Sequence, residues 1–186
     1  MGLLTKDDKK MFSNLADKTV LITGGTGSFG NRFGAIIRKL HPREIRIFSR
    51  DEKKQWEMER VFPDFRYFIG DVRDEGSLET AMEGVDYVFH AAALKQVPTC
   101  ERFPLEAIRT NTIGAHNVCE VAQAAGVKVV VGLSTDKAVK PVNAMGMSKA
   151  LMEKLICTRN KFGGKTTFCC VRYGNVMGTR VEIIFQ

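Results

Sequence analysis

Thr19-Val-Leu-Ile-Thr23, running directly into Gly24-Gly25-Thr26-Gly27-Ser28-Phe29-Gly30, decides how this chain is read. Five β-prone residues make a short strand, and the glycines stand where that strand turns into a helix. Gly24 permits the tight turn, Gly27 lets backbone approach a diphosphate, and Gly30 allows the helix to touch the strand. Free amides at the helix N-terminus then favour a pyrophosphate. The turn therefore predicts a dinucleotide site, with Thr26, Ser28 and Phe29 joining the three glycines.

Outward from this turn, beyond a polar leader over 1–17, short apolar runs alternate with longer helical segments, the pattern of repeated βαβ units. Strands are predicted at Thr19–Thr23, Glu44–Ser49, Arg66–Ile69, Asp86–His90, Lys128–Ser134 and Thr166–Arg172. Helices are predicted at Ser28–Leu40, Glu52–Val61, Ser77–Met82, Pro104–Ala125 and Asn143–Asn160, with stops at Gly126 and Gly163-Gly164. Most strands are continuously apolar and should be covered on both faces. The expectation is an α/β, doubly wound parallel sheet of six to seven strands, a nicotinamide-dinucleotide-binding Rossmann fold over residues 18–180. No repeat or low-complexity tract interrupts it.

The 186 residues, 44% hydrophobic and 26% charged, are enough for one domain with its own core. No apolar run approaches the roughly 18 to 20 residues of a membrane helix, and no secretory signal opens the chain, so a cytoplasmic protein is expected. Met1-Gly2 does not mark myristoylation, because Lys6 stands where Ser or Thr is required. Five cysteines without paired metal spacing predict a reduced protein and no metal. The net charge of +7 is interleaved with acids, as in Arg50-Asp51-Glu52-Lys53-Lys54, which argues against nucleic acid. It suits instead an anionic cofactor and a sugar-nucleotide diphosphate.

Ser49-Arg50-Asp51 ends the second predicted strand, where an acid selects NAD and a cation selects NADP. Arg50 can fork onto a 2′-phosphate with Ser49 and Lys54 as further donors, so NADP is expected, while Asp51 keeps NAD open. Asp71 can accept from the adenine amino group or cap a turn, and Val72 can pack on the ring. His90 is expected to be a satisfied strand-end histidine.

The glycine turn, Asp71-Val72, Ala91-Ala-Ala-Leu-Lys95-Gln-Val-Pro98, Ser134-Thr-Asp-Lys-Ala138, Lys149 and Arg172-Tyr-Gly-Asn-Val176 together resemble the extended short-chain dehydrogenase/reductase superfamily. Within it the chain is most similar to the 4,6-dehydratases of UDP-N-acetylglucosamine in bacterial capsule, O-antigen and flagellin-glycan synthesis. The resemblance implies a redox-neutral dehydration. Sugar C4 gives up hydride to the dinucleotide, the C5 hydrogen turns acidic, water leaves across C5–C6, and hydride returns to C6. It implies Asp136 as acid and Lys137 as base, Lys137 having to give up its proton first. It implies Lys149 at the nicotinamide ribose, Ala91, Ala92 and Ala93 along the cofactor, Tyr173 and Asn175 at the nicotinamide, and Lys95, Lys137, Asn175 and Arg180 at the UDP-sugar substrate. Arg172 falls on the same rim, and Asn111 is either a contact or a steadying polar residue.

One position departs from the superfamily. Where a tyrosine four residues before the lysine removes the sugar hydroxyl proton, this chain has Met145, which has no proton to exchange. The C5-inverting enzymes of capsule synthesis resemble it in having methionine there, so an active branch is expected, with Lys137 or a water replacing tyrosine. Two alternatives stay open: a UDP-sugar 4-epimerase, and a catalytically silent dinucleotide-binding module. Residues 181–186 diverge from the family pattern, and the small domain that closes on the sugar nucleotide is expected to be absent or truncated. Homo-oligomers are expected through the helices Pro104–Ala125 and Asn143–Asn160.

Overall fold

The computed structural model describes residues 13–174; Asn175, Arg180, the tail 181–186 and most of the leader lie outside the described residues. Six parallel strands form one sheet: β1 (Thr19–Thr23), β2 (Glu44–Ser49), β3 (Arg66–Ile69), β4 (Tyr87–His90), β5 (Val129–Thr135) and β6 (Thr167–Tyr173). Their order is β3-β2-β1-β4-β5-β6. The chain lays strands outward from β1, then returns to lay β4 on its other side, as in doubly wound dinucleotide folds. The fold is Rossmann-like.

Alternate residues of the central strands feed two cores. Leu21, Val88 and Val130 pack with Leu78 and Met82 of α3 (Glu75–Met82), with α6 (Gly114–Ala124), and with Met152 and Ile156 of α7 (Ala144–Thr158). Val20, Ile22, Ile45 and Ile47 pack against Ile37 of α1 (Ser28–Ile37) and Met58 of α2 (Glu52–Glu59). Helices thus cover both faces, as the apolar runs predict. The outer strands are more open, β3 having no fully buried residue and β6 only Phe168, because each has a neighbour on one side only.

The predicted helix over 104–125 is broken up. A separate helix α4 (Val97–Arg102) precedes it, Pro104 starts a short α5 (Pro104–Ala107), and a π-helical turn over Ile108–Ile113 leads into α6. Thr110, Asn111 and Thr112 are all buried, and three consecutive residues cannot face one side of a regular α-helix. The wider turn accommodates them. Gly126 ends α6 as predicted: at φ +72° it closes a Schellman motif, its amide donating to Gln123 O and that of Val127 to Ala122 O.

Gly30 is the tightest point of the fold, since a Cβ there would lie 2.0 Å from Gly25 O. Gly30→Ala is expected to cost about 3 kcal/mol or more, because backbone must move. Gly84→Ala, at φ +68° with open space around it, is expected to cost only about 1 kcal/mol. Chemical denaturation of both variants measures the contrast.

Candidate functional site

A parallel sheet brings the C-terminal ends of all its strands to one edge, and in doubly wound folds the ligand crevice lies where the strand order reverses, here between β1 and β4. Gly24, at φ +65°, forms the floor: a Cβ on it would meet Ala92 Cα and N at 2.7 Å. Ala91 N donates to Thr23 O at 3.0 Å, so the ends of β1 and β4 are clamped together and Ala91–Ala93 border the crevice. Below it the buried Thr23 hydroxyl and His90 Nδ1 are 2.7 Å apart.

The glycine turn fits a diphosphate. α2, α3 and α7 have side-chain N-caps in Asp51, Asp74 and Asn143, whereas α1 begins at Gly27 with none. A Cβ at the exposed Gly27 would meet only Gly24 O, at 3.3 Å, so its outer side is open to a close approach. Asn31 Nδ2 donates to the carbonyls of Thr26 and Gly27, both at 3.0 Å, and holds them away from the open side. Ser28 stands at the first position of α1. Phe29 stacks on Phe33 against the core, so backbone is what it offers at the turn.

At the end of β2, Ser49 is buried and its oxygens accept from Gln55, so it is not the open donor the sequence suggests. Asp51 caps Lys54 N at 3.0 Å and holds Lys54 Nζ at 2.6 Å. These bonds, led by that from the Lys54 ammonium, keep the Asp51 carboxyl below its usual range. Arg50 reaches Asp71 at 3.2 Å with its side chain half exposed. Val72 is a correction: its side chain is buried against Gly114 in the core, leaving only backbone for a ring to lie on.

At the end of β5, Asp136 and Lys137 form a tight 3₁₀ turn capped by the Thr135 hydroxyl. Asp136 Oδ1 accepts from Thr135 Oγ1 at 2.9 Å and lies 3.4 Å from Lys137 Nζ. The Thr135 hydroxyl first, then the Lys137 ammonium, holds the Asp136 carboxyl below its usual range, so in this state it accepts protons and does not donate them. That runs against its expected role as a resident acid. Beneath the turn Lys149 is buried, its Nζ 2.8 Å from Leu133 O and 3.4 Å from Met152 Sδ. Burial pushes it from 10.5 down to about 8. It is not a solvated helix lysine.

Met145 is packed with Cys100, Ala107, Leu94 and Val97 in a small apolar cluster that joins α7 to α4 and α5. Tyr173 pairs with Thr135 across the β5–β6 ladder and is half exposed, and a Cβ on Gly174 would lie 3.5 Å from Asp136 Oδ2. Lys95 is exposed on the loop after β4. Arg172, near the C-terminal end of β6, is tied to Glu153 at 2.8 and 2.6 Å.

The family described as polysaccharide biosynthesis protein matches residues 20–185, nearly the whole chain. The chain belongs to it. A relative from Rickettsia bellii named UDP-glucose 4-epimerase is 58% identical over 178 residues, covering 90% of this chain and 52% of its own length. The structure of Pen from Bacillus thuringiensis superimposes with TM-score 0.86 at 43% identity, covering 89% of this chain and 52% of that one. DesIV, a dTDP-glucose 4,6-dehydratase from Streptomyces venezuelae solved with NAD and TYD, shares the fold at TM-score 0.74 and 23% identity, over 83% of this chain and 55% of its own. This chain spans about half the length of the curated relatives it matches.

Sequence reasoning passed over several residues that shape the family's crevice here. Asn31, Thr135 and Glu101, whose carboxylate accepts from Ala144 N at 2.6 Å, act through contacts that only the fold creates. Asn143, directly before a helix, was legible as an N-cap. Asn111 proves to be a brace: its amide bonds both backbone groups of Leu94 at 2.8 Å and Ser148 Oγ at 2.9 Å.

His90 yields a pH prediction. Burial first, then the Lys149 ammonium, pushes its imidazole from 6.5 down to about 3. Unfolded chain therefore binds the proton below pH 6.5 while folded chain refuses it until about 3, so stability falls as pH drops through that window. The slope should approach about 1.4 kcal/mol per pH unit between pH 6 and 5, above the range where the carboxylates titrate. Urea denaturation against pH should give a flatter slope in His90→Asn; an unchanged slope contradicts the assignment.

Proposed function

We propose that this chain is the dinucleotide-binding half of a nucleotide-sugar 4,6-dehydratase that holds NADP tightly, acts on UDP-N-acetylglucosamine and inverts C5, for capsule or O-antigen synthesis. The observation that carries this reading is the Asp136–Lys137 contact of 3.4 Å at the end of β5, the strand whose Leu133 carbonyl holds buried Lys149. Elimination across C5–C6 needs one group to take the C5 proton and one to protonate the departing C6 hydroxyl. Epimerisation at C4 needs neither.

The bound dinucleotide supplies a hydride acceptor at C4 and a donor at C6. Backbone at Gly24–Gly30 holds its pyrophosphate, Arg50 its 2′-phosphate, Asp71 its adenine, and Lys149, turning from the Leu133 carbonyl, its nicotinamide ribose. Asp51 is already engaged by Lys54 in two ways, which favours NADP over NAD. Lys137 and Asp136 work as one unit. Shifting a single proton from the Lys137 ammonium to the Asp136 carboxylate gives an amine that removes the C5 proton and an acid that protonates the C6 hydroxyl; water leaves and the ion pair is restored. Tyr173, Lys95 and, outside the described residues, Asn175 and Arg180 are the proposed sugar-nucleotide contacts. Residues 18–180 form one domain, a second closes over the substrate, and copies pair through the helices that expose Phe103, Leu105, Met147 and Leu151.

The name UDP-glucose 4-epimerase on relatives 56–58% identical favours a second reading, epimerisation at C4. A polypeptide carrying this chain at the length of its relatives, incubated with UDP-N-acetylglucosamine in heavy water, separates the two. A 4-keto-6-deoxy product with deuterium at C5 is expected. A C4 epimer that keeps its C6 oxygen and gains no deuterium sinks the dehydratase reading, and no turnover favours a silent module. Lys137→Ala should lower kcat about 10²- to 10⁴-fold. Arg50→Ala should weaken NADP about 10- to 100-fold with little change for NAD, measured by calorimetry.

A further inference from the structure

Charges of alternating sign run from the end of β2 across the end of β3 to α5. Asp71 Oδ2 accepts from Arg73 Nη2 at 2.7 Å and Nε at 2.9 Å, and only loosely from Arg50 Nη1 at 3.2 Å. Asp71 Oδ1 accepts from the Arg73 amide at 3.0 Å. Arg73 is gripped from its far side by Glu106, whose Oε2 is 2.8 Å from Arg73 Nη1 and whose Oε1 is 2.8 Å from Arg109 Nη1.

A carboxylate offers about four lone-pair positions, and three of the four bonds to Asp71 come from Arg73. The other N–H donors of Arg50 have no protein partner among the described residues. Remove Arg73, and a partly buried carboxylate faces Arg50 alone. The two would close into a bidentate fork, which neutralises the guanidinium and occupies the donors a phosphate needs. With Arg73 present, two guanidiniums share one carboxylate, and Arg50 gives it a single bond of 3.2 Å.

We propose that Arg73 is a positioning residue that sets cofactor preference: by saturating the Asp71 carboxylate it leaves the Arg50 guanidinium open to the 2′-phosphate. The inference rests on the reading of Arg50 as the contact to that phosphate. Glu106 and Arg109 hold Arg73 in the saturating orientation.

Calorimetric titration of NADP and of NAD into the wild-type chain, Arg50→Ala, Arg73→Ala and Arg73→Ala/Asp71→Asn tests it, with thermal melts to verify folding. Arg73→Ala should weaken NADP about tenfold and NAD less than about twofold. The double variant, having no carboxylate to capture Arg50, should regain most of the lost ratio. Any role of Asp71 at the adenine affects both cofactors alike and leaves the ratio unmoved. Parallel weakening of both cofactors in Arg73→Ala, or a double variant that stays low, overturns the inference. So does an NADP preference that disappears in Arg50→Ala yet persists in Arg73→Ala, in which case the Arg50 reading survives. A wild-type chain that binds NADP no more tightly than NAD, with Arg50→Ala without effect, overturns both.

Discussion

Backbone meeting backbone at the end of β1 is the constraint on which the rest of the molecule depends. Gly24 lies so close to Ala92, and Gly30 to Gly25, that no Cβ fits at either glycine without backbone moving. Those two approaches fix the direction in which α1 leaves the sheet and put its uncapped N-terminus over the reversal in strand order. The buried Thr23–His90 contact locks the same two strands from within. A diphosphate site built this way is made of fixed dipoles, and ordering it costs the ligand little.

Around that rigid floor, charge is handled locally. Asp51 holds Lys54, Asp71 holds Arg73, and Glu153 holds Arg172, so each of these cations has a carboxylate partner. Lys149 is the exception in kind. Its ammonium is buried with a carbonyl and a thioether for company, neither of which carries a full negative charge. Stability alone does not call for such a group, because a buried cation loses its hydration and is repaid only in part. A lysine brought down to about 8 by burial exchanges its proton near neutral pH.

Legibility followed locality. The glycine turn, the six strands and the stop at Gly126 rest on neighbours in sequence, and the structure has them within a residue or so of the expected bounds. The π-helical turn was hidden, since it answers to Asn111 bonding Leu94 and Ser148 and to Thr112 bonding Ser148, residues far along the chain. Val72 and Phe29 look like ligand contacts in the motif, yet Val72 is core and Phe29 packs against the core, because sequence gives the position and not the side of the backbone a side chain takes. That Asp136 rests as a carboxylate was hidden for a related reason: the Thr135 hydroxyl that favours the charged form follows from the geometry of one turn. Asn175 and Arg180 lie outside the described residues.

Met145 shows how a missing group redistributes work. The thioether has not left a gap where a phenol would be; it joins α7 to the segment holding Cys100 and Ala107. Glu101 and Asn143 tie down the first turn of the same helix, at Ala144 and Gly146. The start of α7 is thus an anchored wall. On the dehydratase reading, proton transfer from the sugar then falls to groups that can exchange one, and those nearest the end of β5 are Lys149 from below and the Asp136–Lys137 turn from above. Both are fixed to β5, the first by the Leu133 carbonyl and the second by the Thr135 cap, so one strand end sets the spacing between oxidation at C4 and elimination at C5 and C6. An epimerase has no use for that second group, and a silent module has use for neither.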